Sequence, residues 1–160
     1  MAGTYHRTGP STEERAGGDR SEGAAVHEKR IEVRWRDMDA FGHVNNAVYL
    51  TYLEEVRDEW MEKIIGPIGD VWDFVLAHVA IDYRHQVEQG DDVVIARVRL
   101  AEIGRSSIRT REELLCPDGT VAAHAESVIV ARNRGTGRSR SLTASERAAL
   151  ENELRTEGRA

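Results

Sequence analysis

Between Tyr49 and Ile64 apolar residues recur at intervals of three and four, and beyond Asp73 they recur at every second position. This change of period is the tightest constraint on the fold. The first spacing lines one face of a helix and the second lines one face of a strand, so neither segment can take the other's place without turning its apolar side chains to water. Tyr49, Tyr52, Leu53, Val56, Trp60 and Ile64 form the helical stripe. Gly66-Pro67 stops it, which gives a helix of about 20 residues, roughly 30 Å at 1.5 Å per residue. Asn45 or Asn46 supplies a side-chain oxygen to cap its start.

The remainder reads as strands. Ahead of the helix, Ile31, Val33 and Trp35 alternate with Arg30, Glu32, Arg34 and Arg36, a half-buried strand. After it come four more. One spans about 73–87, with Ala77, Val79, Ile81 and Tyr83 on one face. A second, after the Gly90-Asp91 turn, spans 92–102 with Val94, Ala96, Val98 and Leu100 inward. A third runs over about 106–116, beyond Gly104. The fourth covers 120–132 with Val121, Ala123, Ala125, Ser127 and Ile129 alternating, after the turn Pro117-Asp118-Gly119. Thr143-Ala144-Ser145-Glu146 reads as a capping box for a short C-terminal helix. Strand, long helix, four strands is an α+β order, one helix laid on one antiparallel sheet. An open sheet leaves edges that a second copy can cover, so at least a homodimer is expected.

Residues 1–26 are rich in Gly, Ser, Thr, Glu and Arg without an apolar period and read as a disordered tail. Residues 27–142 form the folded domain, and 143–160 a short helix and tail. The 160 residues bear a net charge of −6, which argues against a nucleic-acid surface. No apolar run approaches a membrane span and the N-terminus has no apolar leader, so the reading is a cytoplasmic chain with no membrane partner. The single Cys116 cannot form an internal disulfide and reads as a small semi-buried residue. His6, His27, His43, His78, His85 and His124 show no paired ligand spacing, so no metal site is expected. Neither a phosphate-cradling glycine loop nor a Gly-x-Ser-x-Gly turn occurs.

The stretch Asp37-Met38-Asp39-Ala40-Phe41-Gly42-His43-Val44-Asn45-Asn46 joins the first strand to the helix. It places Asp39 just ahead of a helix N-terminus, where backbone N–H groups are unpaired and the helix dipole favours negative charge. A carboxylate beside such an anion site suits attack on a carbonyl, although a turn-shaping role fits the same spacing. Asp37 reads as a cap or turn hydrogen bonder, and Glu54 and Glu55 as a solvated helix face.

The sequence DMDAFGHVNNAVYLTYLEEVRDEW resembles the signature of hotdog-fold thioesterases of the 4-hydroxybenzoyl-CoA thioesterase type, and Ile81-Asp82-Tyr83, Gly90-Asp91 and Gly104-Arg105-Ser106-Ser107 are similar to later parts of that family. The resemblance covers about 28–134. It implies a long antiparallel sheet wrapped around one central helix and a homodimer or homotetramer. The implied activity is hydrolysis of a thioester to a free acid and coenzyme A, with no separate cofactor because coenzyme A is part of the substrate. It makes Asp39 the nucleophile or general base and the Asn46 backbone N–H the oxyanion donor, with Gly42 allowing close approach. His43 and the Asn45 side chain would touch the substrate, Tyr49 and Tyr52 would wall the cavity, and Arg105 would bind a coenzyme A phosphate. Arg132, Arg134, Arg138 and Arg140 read as a solvated basic run. The alternatives are an acyl-carrier-protein thioesterase and a non-hydrolytic acyl-CoA binder.

Overall fold

The computed structural model describes residues 25–155. The expected tail, 1–26, lies almost wholly outside them. Strand β1 (His27–Glu32) leads through a loop and one 3-10 turn (Trp35–Asp37) to helix α1 (Asn46–Ile65). Strands β2 (Phe74–Tyr83), β3 (Val93–Ile103), β4 (Ser107–Leu115) and β5 (Val121–Ala131) follow, then helix α2 (Ala144–Arg155). The strands form one antiparallel sheet in the order β1-β3-β4-β5-β2, which leaves β1 and β2 as edges.

The sheet wraps α1 because both present apolar faces of matching period. Tyr52, Leu53, Val56, Trp60 and Ile65 are fully buried on the helix, and Val94, Ala96, Val98 and Leu100 are fully buried on β3. Each large side chain so placed contributes about 1.5–3 kcal/mol over leaving it in water. Ile64 lies at the margin of the stripe and is half-buried, and the inward place at that end goes to Ile65. Helix α2 closes the C-terminal end of α1: Leu150 is buried, and the Trp60 indole N–H donates to Glu153 Oε1 at 3.1 Å. The Thr143 capping box forms in both directions, Thr143 N–H to Glu146 Oε2 at 2.8 Å and Glu146 N–H to Thr143 Oγ1 at 3.2 Å.

Two expectations need correction. Trp35 does not continue the inward row of β1. The strand ends at Glu32, and Trp35 stands 78% exposed in the 3-10 turn, because Asp37 hydrogen-bonds back to Arg34 and curls the chain away from the sheet. In β2 the ladder shifts register between Leu76 and His78, Ala77 is exposed, and Tyr83 is 43% exposed. The face read as buried is therefore only partly covered.

Candidate active site

Asp37 is the anchor of the turn. Its Oδ2 accepts hydrogen bonds from the Tyr52 hydroxyl at 2.6 Å and from the Arg34 N–H and Nε at 3.0 Å each, and its main-chain oxygen accepts the Asn45 N–H at 2.9 Å. Burial pushes this carboxyl up, but the bonds from Tyr52 and Arg34 and the Arg34 charge outweigh it and hold it below the usual carboxylate range. Tyr52 is pushed strongly upward by burial and by the Asp37 carboxylate it donates to, so it stays a neutral donor. The expectation that Tyr52 walls a cavity fails, because its ring is fully buried and its hydroxyl is committed to Asp37.

With the turn so pinned, the chain doubles back between bridged Met38 and Val44. The Asp39 N–H donates to His43 O at 2.8 Å and the Gly42 N–H to Asp39 O at 3.1 Å. Gly42 sits at φ +80°, a left-handed conformation that costs a residue with a Cβ. One Asp39 carboxylate oxygen, Oδ1, accepts the Phe41 N–H at 2.8 Å. The other has no hydrogen bond to a described residue. Asp39 is half-buried in a cleft of about 550 Å³ that Trp35, Arg36, Met38, Gly42 and Gln89 also line.

Asn45, rather than Asn46, caps α1: its Oδ1 accepts the Ala47 N–H at 2.9 Å and its main-chain oxygen accepts the Val48 N–H at 2.8 Å. The N–H of Asn46 is left without a partner among the described residues, an open donor at the positive end of a 20-residue helix. The Tyr83 hydroxyl holds the same residue from the other side, donating to Asn46 O at 3.0 Å. His43 is bridged through its backbone to Glu88, with Nε2 4.0 Å from Glu88 Oε1. Glu54 is exposed and Glu55 half-buried, with Arg34 Nη2 3.9 Å from Glu55 Oε1.

Two further residues read as substrate contacts differ in place. Tyr49, in the first turn of α1, is 3% exposed; its hydroxyl donates to His85 O and accepts the Val87 N–H, both at 3.0 Å, so it pins the segment after β2 to the helix start. Arg105 is exposed at the β3–β4 hairpin, whereas the motif meets β3 at its other end, where the Val33 N–H donates to Asp92 O. The ten residue steps from Val93 to Ile103, about 3.3 Å each, put them roughly 33 Å apart along the strand. The basic run is exposed at Arg134 and Arg138, as read, and two of its members are paired with acids. Arg134 pairs with Asp70 and with Asp73, the latter at 2.9 Å, and Arg140 grips both Glu146 oxygens at 2.8 Å.

Comparison with known proteins places the chain in a family. The model of the thioesterase-like superfamily matches residues 33–155. The chain is 30% identical over 130 residues to the long-chain acyl-CoA thioesterase FadM of Escherichia coli K12, covering 76% of this chain and 95% of FadM. A thioesterase of Thermus thermophilus, solved with coenzyme A and zinc, superposes with a TM-score of 0.73 at 34% identity, covering 87% of this chain and 98% of that one. Over 75 residues the chain is 29% identical to the chloroplastic acyl-acyl carrier protein thioesterase ATL3 of Arabidopsis thaliana, 43% of this chain and 38% of ATL3.

Proposed function

Because the chain belongs to the thioesterase-like superfamily and has its hotdog fold, we propose that it is an acyl-CoA thioesterase whose chemistry is carried by Asp39. The observation that carries the reading is that, among the described residues, an Asp39 carboxylate oxygen and the Asn46 N–H at the start of α1 both lack a hydrogen-bond partner. The free oxygen attacks the thioester carbon, or takes a proton from a water that does. The carbonyl oxygen becomes an oxyanion against the Asn46 N–H and the helix dipole. Collapse breaks the C–S bond, and coenzyme A leaves as the thiol, its sulfur taking up a proton. On the nucleophilic route water then opens the mixed anhydride at Asp39. In sum, water adds across the C–S bond, giving acid and thiol.

His43 and Asn45 stand around the same turn as substrate contacts, Asn45 with only its amide NH₂ left to offer. Arg105, at the far end of β3, reaches a coenzyme A phosphate only on a substrate whose thioester is held by another chain. The open edge of β2 supports a homodimer or a higher assembly that would bring them together. The likeness to FadM favours a long-chain acyl group over the aromatic one that the motif's resemblance to 4-hydroxybenzoyl-CoA thioesterases suggests. The likeness to ATL3 supports acyl carrier protein as a second carrier.

The deciding experiment measures kcat/KM on short, long and aromatic acyl-CoA thioesters and on a long-chain acyl carrier protein. A long-chain acyl-CoA should be the best substrate. Turnover of none, with acyl-CoA bound intact, would make the protein a binder.

A further inference from the structure

Arg57, three turns along α1, is buried between helix and sheet with its side chain 7% exposed. A single nitrogen, Nη1, donates to both oxygens of Glu112, at 3.0 and 2.8 Å, and to Ser127 Oγ at 3.3 Å. Thr110 adds a bond to Glu112 Oε1 at 2.8 Å, and the Glu112 side chain is 0% exposed. Glu112 is thus well bonded and the charge of the pair is balanced. Arg57 is not saturated: its Nε and Nη2 make no hydrogen bond to a described residue. Neither is sealed, because the enclosed side-chain polar atom without a partner among the described residues is Arg132 Nε. Arg57 lines a cleft of about 660 Å³ together with Met61, Trp72, Phe74, Leu76 and Ile129.

A buried pair of this kind is weak evidence for stability, since apolar residues of similar volume often hold such a position as well or better. We propose that the cleft receives the far end of the acyl group and that Arg57 donates to a neutral oxygen, a hydroxyl or a carbonyl, carried there. This rests on the thioesterase reading. A neutral acceptor is indicated over a carboxylate because Glu112 already balances Arg57 and the rim bears Glu55, Asp58 and Glu62. The apolar walls suit the hydrocarbon that leads to that oxygen. Arg57 lies eleven residues beyond Asn46, about 16 Å along the helix, so the oxygen belongs near the distal end of a long chain.

The test compares kcat/KM for ω-hydroxydodecanoyl-CoA and dodecanoyl-CoA. The parent protein should favour the hydroxylated thioester by about ten- to a hundredfold, the range of a hydrogen bond from a charged donor. In the double variant Arg57→Met, Glu112→Leu, which leaves no buried charge unpaired, the preference should vanish, with the loss falling on the hydroxylated substrate. Equal rates on the two thioesters in the parent, or an unchanged preference in the variant, would overturn the proposal. Binding of the two free acids to the parent by calorimetry decides the matter independently of turnover and of the variant's folding. Tighter binding of the hydroxy acid supports Arg57 as donor even if neither thioester is hydrolysed, a result that would sink only the hydrolase reading. Equal binding of both acids overturns the proposal.

Discussion

The two ends of α1 use the same residue types to opposite effect. At the C-terminal end Asp70, Asp73 and Glu146 are all paired, by Arg134 and Arg140, and the Arg140 guanidinium also lies 5.7 Å from the centre of the Phe74 ring. At the N-terminal end Asp37 is as fully engaged, yet two residues on Asp39 keeps an oxygen unengaged by any described residue, and Asn46 an open N–H. Saturated carboxylates hold a fold. A carboxylate held in place by a saturated neighbour, and itself left short of donors, is available for chemistry.

Asp39→Asn tests the contrast hardest. It keeps the shape and the acceptor for Phe41 N–H but removes the carboxylate proposed as base or nucleophile. The expected fall in kcat is about 10²- to 10⁴-fold. The melting temperature should stay within about 2 °C of the parent, as for a substitution that breaks no buried contact. A folded variant with parental kcat would remove Asp39 from the mechanism.

Arg105→Ala asks whether the closed end also serves a ligand. A phosphate contact there acts equally in ground and transition states, so KM for acyl-CoA should rise about 10- to 150-fold with kcat near parental. The effect should disappear with an acyl-pantetheine thioester. An unchanged KM would make Arg105 a surface charge and sharpen the division between the two ends.

Tyr52→Phe removes a donor from the buried Asp37. A hydrogen bond to a charged group is worth about 1.5–3 kcal/mol. Calorimetry should show melting lowered by roughly 5–10 °C, and kcat/KM should fall with it, because the turn that presents Asp39 loosens. Arg140→Ala, at the other end, strips the buried Glu146 of two bonds, so it should lower the melting temperature at least as far, yet leave kcat and KM unchanged. If Arg140→Ala costs activity as Tyr52→Phe does, the two ends are not functionally distinct.

Acid separates these contributions further. Asp37 and Glu146 are both held below the usual carboxylate range, Glu146 mainly by its bonds from Arg140. A carboxyl lowered on folding adds stability that is fully present above its unfolded pKa, about 4, and that is lost as pH falls through the folded value. Urea midpoints from pH 7 to pH 2 should fall along that limb, and the fall should be shallower in both Tyr52→Phe and Arg140→Ala.

The period change at the helix made the fold legible. Helix α1 and strands β3, β4 and β5 lie within one or two residues of where their spacing put them. What the pattern could not carry was the fate of charges at inward positions. Arg57 falls between Leu53 and Trp60 on the buried side of the helix, and Glu112 alternates with Ile108, Thr110 and Leu114 on the buried side of β4. Neither names its partner in the sequence, and only the crossing of α1 over β4 pairs them. The Tyr52–Asp37 bond was hidden in the same way, although a buried tyrosine hydroxyl always calls for a partner. The turn and the helix start of the candidate site were readable because they are local. The place of Arg105 was not, because a strand's length separates it from Asp39 and spacing in sequence says nothing of which end of a sheet a hairpin occupies.

Tyr83 stands on the open edge of β2 and donates to the carbonyl of Asn46. Any strand that pairs along β2 and any acyl group that settles at the helix start therefore share one strut. For a chain that self-associates along β2, thermodynamic reciprocity would bind the two events: the factor by which occupancy of the turn tightened association would be the factor by which association tightened that occupancy.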